Sequence, residues 1–184
     1  MKRTLVASVV AVGLSVFAFA ANASGESTIS GGYAQSHVKT DNKDFEKLFD
    51  GNPKGFNLKY RYELDNNWGV ISSLTSTYLG YDHYRGGRKV AESDMDYFSL
   101  MAGPTYRFNE YVSVYGMVGA AHGKVKLSDY VGSMSGSKSK TSVGYGLGLQ
   151  FNPMPNWTID TSYEYSKLGD LKIGTWVVGV GYRF

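Results

Sequence analysis

Acid–base or nucleophilic catalysis needs a titratable base held by an orienting group, and the chain offers three histidines, His37, His83 and His122. Asp82 stands directly before His83, but neighbours on a strand point to opposite faces, so this adjacency does not orient the ring. The His-Glu-x-x-His spacing of zinc hydrolases does not occur. Gly144-x-Gly-x-Gly148 is not followed by a helical pattern, so it does not read as a phosphate-binding turn. The chain has no cysteine, which removes thiolate nucleophiles, thiolate metal sites and disulfides. Asn156-Trp157-Thr158 matches a glycosylation pattern but falls at an expected turn. The expectation is a protein without catalytic residues, metal or cofactor.

What remains is the chemistry of charge and aromatic surface. Lys124, Lys126, Lys138 and Lys140 surround a single Asp129, a balance suited to sulfated glycans, the phosphates of lipopolysaccharide or an acidic host protein. Tyr84, Arg85, Arg88 and Lys89 form a second group of interface-prone types. Phe45 and Phe49, with Leu48, have the spacing of one face of a helical turn. All three groups fall in long polar connections or on their flanks, and those connections imply elements to hold them.

Eight segments alternate with a period of two, at about 27–39, 55–65, 68–81, 95–108, 111–126, 140–152, 156–167 and 173–184. The links after the second, fourth and sixth are short: Asp65-Asn66-Asn67, Asn109-Glu110 and Pro153-Met154-Pro155. Those after the first, third and fifth are long, roughly 40–54, 82–94 and 127–139. Short turns at one end and long loops at the other describe an up-and-down barrel.

Residues 1–23 read as a cleaved secretory signal: Lys2-Arg3, an apolar run over Leu5–Ala20, and Ala21-Asn22-Ala23 as a small-x-small site. Removing Lys2 and Arg3 leaves 17 basic residues against 16 acidic, so no global charge favours nucleic acid. Residues 24–184 then form one domain, without an apolar run long enough to span as a helix.

The faces decide which solvent the barrel meets. One set carries Phe56, Leu58, Tyr60, Leu147, Leu149, Ile159, Trp176, Val178, Val180 and Tyr182. The opposite set carries Lys59, Arg61, Glu63, Arg107, Asp160, Glu164 and Arg183, interleaved with glycines such as Gly144, Gly146 and Gly148. A water-facing surface has no steric need for those glycines, whereas an eight-strand interior is narrow enough to require them. The apolar set is therefore expected to face lipid and the charged set to form a paired plug. The fifth segment is ambiguous, since both of its registers hold apolar residues. The expected fold is all-β: an eight-stranded antiparallel up-and-down transmembrane β-barrel with short periplasmic turns and longer extracellular loops.

The stretches GGYAQS (31–36), GFNLKYRYE (55–63), AGPTYRFN (102–109), YGMVG (115–119), GYGLGLQFNP (144–153), SYE (162–164) and GTWVVGVGYRF (174–184) resemble the outer membrane protein X family, which includes the Ail/Lom attachment-invasion group. That resemblance implies a multi-pass barrel in the Gram-negative outer membrane with sheet edges protruding outward. It implies adhesion, invasion or complement resistance through a host matrix, glycan or complement-regulator ligand. A structural or envelope-stress barrel without a specific ligand is the alternative, and a rim-located enzyme a lesser one. The aromatic end, with Trp176, Tyr182 and Phe184, resembles the signal read by the barrel assembly machinery.

Overall fold

The computed structural model describes the backbone of residues 26–40, 51–85, 88–129, 135–169 and 171–184. Within them lie β1 (Ser27–Thr40), β2 (Lys54–Glu63), β3 (Trp68–Arg85), β4 (Arg88–Arg107), β5 (Val112–Asp129), β6 (Ser135–Met154), β7 (Trp157–Leu168) and β8 (Leu171–Arg183). Each strand pairs antiparallel with the next, and β8 returns to β1 from Thr28↔Arg183 to Thr40↔Leu171. Closure removes the sheet edge, whose backbone groups would find no partner in hydrocarbon. The chain terminus takes part, as Ser27 and Phe184 exchange two backbone hydrogen bonds of 2.9 Å. The expected signal at 1–23 and the candidates Phe45 and Phe49 lie outside the described residues.

Two of the tight turns are built by side-chain acceptors. Asp65 Oδ1 accepts from the N–H of Asn67 at 2.8 Å and of Trp68 at 2.6 Å. Asn109 Oδ1 does the same for Tyr111 and Val112, at 2.9 and 2.8 Å. These backbone donors, Trp68 first, hold the Asp65 carboxyl below its ordinary value.

The long connections need correction. β3 and β4 pair out to Arg85↔Arg88, and β5 and β6 out to Ser128↔Ser135, so most of 82–94 and 127–139 is strand. The β2–β3 ladder stops at Lys54↔Tyr78, and the β6–β7 ladder at Gly144↔Ser166. The outer parts of β3 to β6 therefore stand clear of the closed barrel as a four-stranded overhang. Seven residues from Tyr78 to Arg85, at ~3.3 Å each, extend roughly 23 Å along the strand. Tyr84, Arg85, Arg88, Lys89 and Lys138 accordingly sit on strands rather than in loops, as do Lys124, Lys126 and Lys140 at the expected flanks. The physical reason is that a strand standing in water on both faces needs no apolar residue, so its composition resembles that of a loop.

Within the barrel the faces separate sharply. Leu147 is 72% exposed and Val180 60%, whereas Glu164 is 0% and Lys59 1% exposed. Phe56, Leu149, Ile159, Trp176, Val178 and Tyr182 are likewise exposed on the outer surface, and Leu58 is half-buried there. Tyr60 is the exception among the lipid-facing candidates. It keeps the outward register beside Ile29 but is only 9% exposed, with its hydroxyl 2.9 Å from Ser27 Oγ. The ambiguous β5 turns Ser113, Tyr115, Met117 and Ala121 inward and leaves Val118 exposed.

The interior is also less polar than its alternation implied. Ile71, Met101, Tyr115 and Met117 form one apolar cluster at mid-height. Met95, Tyr97, Ala121, Leu168 and Ile173 form a second toward the extracellular end. The inward glycines serve these bulky groups: a Cβ on Gly148 would strike the Tyr115 ring, and one on Gly144 would lie 2.5 Å from Met101 Cε.

Candidate functional site

The charged interior residues are brought together in three layers. At the periplasmic end Glu63 accepts from Arg107 and, at 3.0 Å, from Arg183, with Arg61 Nη2 3.6 Å away. Arg61 Nη1 donates to Gln150 Oε1 at 2.8 Å. Glu26 engages Arg183 from the rim. One layer up, Lys59 pairs with Asp160 and donates to Ser162 Oγ at 2.9 Å, while the Tyr115 hydroxyl donates to Asp160 at 2.9 and 3.0 Å. Charges removed from water this completely are tolerable only when paired and hydrogen-bonded.

Glu164, the third layer, has no cationic partner among the described residues. Its carboxyl oxygens accept instead from Ser73 at 3.1 Å, Thr75 at 2.8 Å and Ser99 at 2.8 Å. Asn57 Nδ2 donates to the oxygens of Ser73 and Thr75, both at 2.8 Å, which fixes those hydroxyls as donors toward Glu164. Above this cage lies the Met95–Tyr97–Leu168–Ile173 cluster, an apolar lid. The layers fill the barrel rather than line a passage. Asn57, Gln150, Tyr115 and the three hydroxyls were not singled out by sequence. Their one signal was the inward register, which Ser and Thr occupy as freely as charged residues do.

The outer rim holds the second arrangement. Cross-strand partners share a face, and the register places the four lysines of the overhang on two faces. Lys124 opposes Ser139 and Lys126 opposes Ser137, whereas Lys138 opposes Val125 and Lys140 opposes Gly123. On the other side of β5, Lys124 and Lys126 stand opposite Asp96 and Asp94. Lys138 and Lys140 hold the alternate register of β6, that of the inward Gly144 and Gly146. Their cross-strand partners on β5, Val125 and Gly123, are uncharged. The expected single basic patch is therefore two half-patches, one of them facing acids.

A further basic row was not anticipated. Lys39 pairs with Lys172 and Lys172 with Lys167, on three adjacent strands. In the outward register just below lie Tyr163 and Trp176, whose rings are 4.9 Å apart, and Tyr165 and Tyr145, 5.4 Å apart. Trp157 and Tyr182, at 5.7 Å, and Trp68 and Tyr106, at 5.0 Å, mark the opposite end. Two aromatic belts around an apolar band are the outer surface of a membrane barrel. Among the described residues no group of His, Asp and Glu has the clustering of a metal site.

Residues 4–184 match the family model for the outer membrane protein beta-barrel domain. The attachment invasion locus protein of Yersinia enterocolitica is 56% identical over 184 residues, spanning 100% of both chains. Outer membrane protein X of Enterobacter cloacae is 41% identical over 186 residues, again spanning 100% of both. Among solved structures, Ail, the attachment invasion locus protein of Yersinia pestis, in complex with the heparin analogue sucrose octasulfate, superposes with a TM-score of 0.78 at 56% identity, covering 87% of this chain and 99% of that one.

Proposed function

The chain belongs to the outer membrane protein beta-barrel family, as a relative of the attachment invasion locus and outer membrane protein X proteins, and from that premise we propose that its overhang is a surface for binding polyanionic host glycans. It is a multi-pass protein of the Gram-negative outer membrane. The observation that carries the reading is the register of Lys138 and Lys140, paired across the strand with the uncharged Val125 and Gly123, in a sheet that runs on beyond the barrel. Two lysines whose cross-strand partners are uncharged suit sulfate groups, and screening by salt should weaken that attraction. The heparin analogue bound by the Yersinia pestis relative supports the ligand class.

Adhesion, invasion or complement resistance would follow from such contacts. The edges of β3 and β6 beyond the barrel, which have no strand partner among the described residues, add a route for capturing extended segments of a matrix protein or complement regulator. The row Lys39–Lys172–Lys167, directly above an aromatic belt, suits the phosphates of lipopolysaccharide and would seat the barrel in its leaflet.

Immobilised heparin tests the reading. Binding should fall with rising salt, drop about tenfold on combined Lys138→Ala and Lys140→Ala, and change little on Lys124→Ala with Lys126→Ala, whose positions face Asp96 and Asp94. Equal loss from both pairs would point to unspecific charge. Binding indifferent to all four would favour a structural envelope barrel.

A further inference from the structure

Acids and bases stand in adjacent columns on the outer register of the overhang. In line with the exposed Leu100 and Val118, β4 carries Asp96 and Asp94 and β5 carries Lys124 and Lys126, paired Asp96↔Lys124 and Asp94↔Lys126. The columns on either side are uncharged at these positions. Tyr78 and Gly80 on β3 stand beside the acids, and Ser139 and Ser137 on β6 stand beside the lysines. Asp96 precedes Tyr106 of the lower aromatic belt by ten residues on β4, roughly 25 Å of height at ~3.3 Å per residue and a tilt of about 40°. That is about the height of an apolar band, so the charged columns begin where the lipid headgroups do. Among the described residues no ion pair joins Asp96 to Lys124, and Asp94 accepts from the neutral Tyr78 hydroxyl at 2.9 Å.

We propose that this face binds a second copy of the chain in the same membrane. Copies inserted the same way up can be related by a two-fold axis only if that axis runs along the membrane normal. Such a rotation keeps every residue at its height and exchanges left for right across the gap. The acidic column of one copy then meets the basic column of the other, and the reciprocal contact forms as well. A face with one sign of charge would repel its own copy instead. The tilted strands of the two barrels cross, which confines the contact to a short patch around Asp96 and Lys124. Exposed ion pairs contribute little each. Barrels held in one plane and one orientation have, however, already given up much of the freedom that association costs. The contact makes no use of Lys138 and Lys140, so it stands or falls apart from the glycan-binding reading. It would set two overhangs side by side, doubling the surface offered to a multivalent ligand.

The chain has no cysteine, so Asn66→Cys in a periplasmic turn accepts a single donor or acceptor dye. Labelled protein refolded from one side into preformed phosphatidylcholine vesicles should show energy transfer above that of randomly placed barrels at the same density. Transfer should fall by about half between ~50 mM and ~0.5 M salt, as screening of exposed charges requires. Asp94→Lys with Asp96→Lys makes the face wholly positive, and Lys124→Glu with Lys126→Glu makes it wholly negative. Each variant alone should show only random transfer, and the donor-labelled one mixed with the acceptor-labelled other should restore it. Charges that serve only within their own chain give no such restoration, and its failure with both variants folded overturns the proposal. So does wild-type transfer that stays at the random level or ignores salt, a result that needs no variant to fold.

Discussion

At the scale of single residues, the interior separates two ways of keeping a carboxylate in a sealed place. Asp160 has a cation, Lys59, and a phenol, Tyr115. Glu164 has only hydroxyls, oriented from behind by Asn57. Charges at period two made both acids visible in the sequence, but partner identity was not. A serine on the inward face reads the same whether it donates to an acid or merely fills space. Tyr115 was hidden further by a strand with apolar residues in both registers. The pair supplies a sharp test. Asp160→Ala leaves Lys59 buried without its partner and is expected to cost roughly 3–5 kcal/mol, measured by urea unfolding in lipid vesicles. Lys59→Met combined with Asp160→Leu should recover most of that loss. A double variant as unstable as the single one would show that packing, not the orphaned charge, sets the cost.

At the scale of elements, strands inside the membrane were legible because lipid and interior impose opposite demands on alternate residues. Hence Trp157–Leu168 emerged within a residue of its observed bounds. The overhang was not legible, because β3 and β6 there meet water on both sides and alternation has nothing to report. Polarity described the solvent and was mistaken for irregular backbone. The lysines around Asp129 were correctly noted, but their division between faces depended on a register that only strand pairing could supply. The last strand carries a different kind of information. Phe184 lies 60% exposed next to the β1–β8 seam and contributes two backbone bonds through Ser27, with little packing. Deleting Phe184 should therefore reduce the amount of barrel assembled in cells well before it alters the unfolding midpoint of refolded protein. Immunoblots of outer-membrane fractions beside unfolding curves would check this, and undiminished membrane levels would count against an assembly role.

At the scale of the whole molecule, the protein is a filled cylinder. Salt-bridged layers occupy its lower half, an apolar lid its top, and the closed ladder leaves no edge below the rim. A closed ladder must break cooperatively, because no strand can leave without opening two seams. Unboiled samples in detergent are accordingly expected to migrate differently from boiled ones on gels. Identical migration would mean that the ring does not hold in detergent. The filled interior further predicts no stepwise conductance when the protein is inserted into a planar bilayer.

The overhang gives this cylinder a mechanical property. The β3–β4 ladder stays antiparallel from Trp68↔Tyr106 to Arg85↔Arg88, with one register shift between His83 and Tyr84. A tether pulling outward on the tip would draw β3 and β4 together along their axis, so the bonds of the flanking β2–β3 and β4–β5 ladders would be strained side by side rather than peeled open in sequence. Many weak bonds sharing one shear force resist far more than the same bonds taken singly. Because that ladder is continuous with a closed ring, tension at the tip would pass into the whole circumference. A bacterium held by such contacts against flowing fluid would be limited by the grip of the ligand, and the sheet would outlast it.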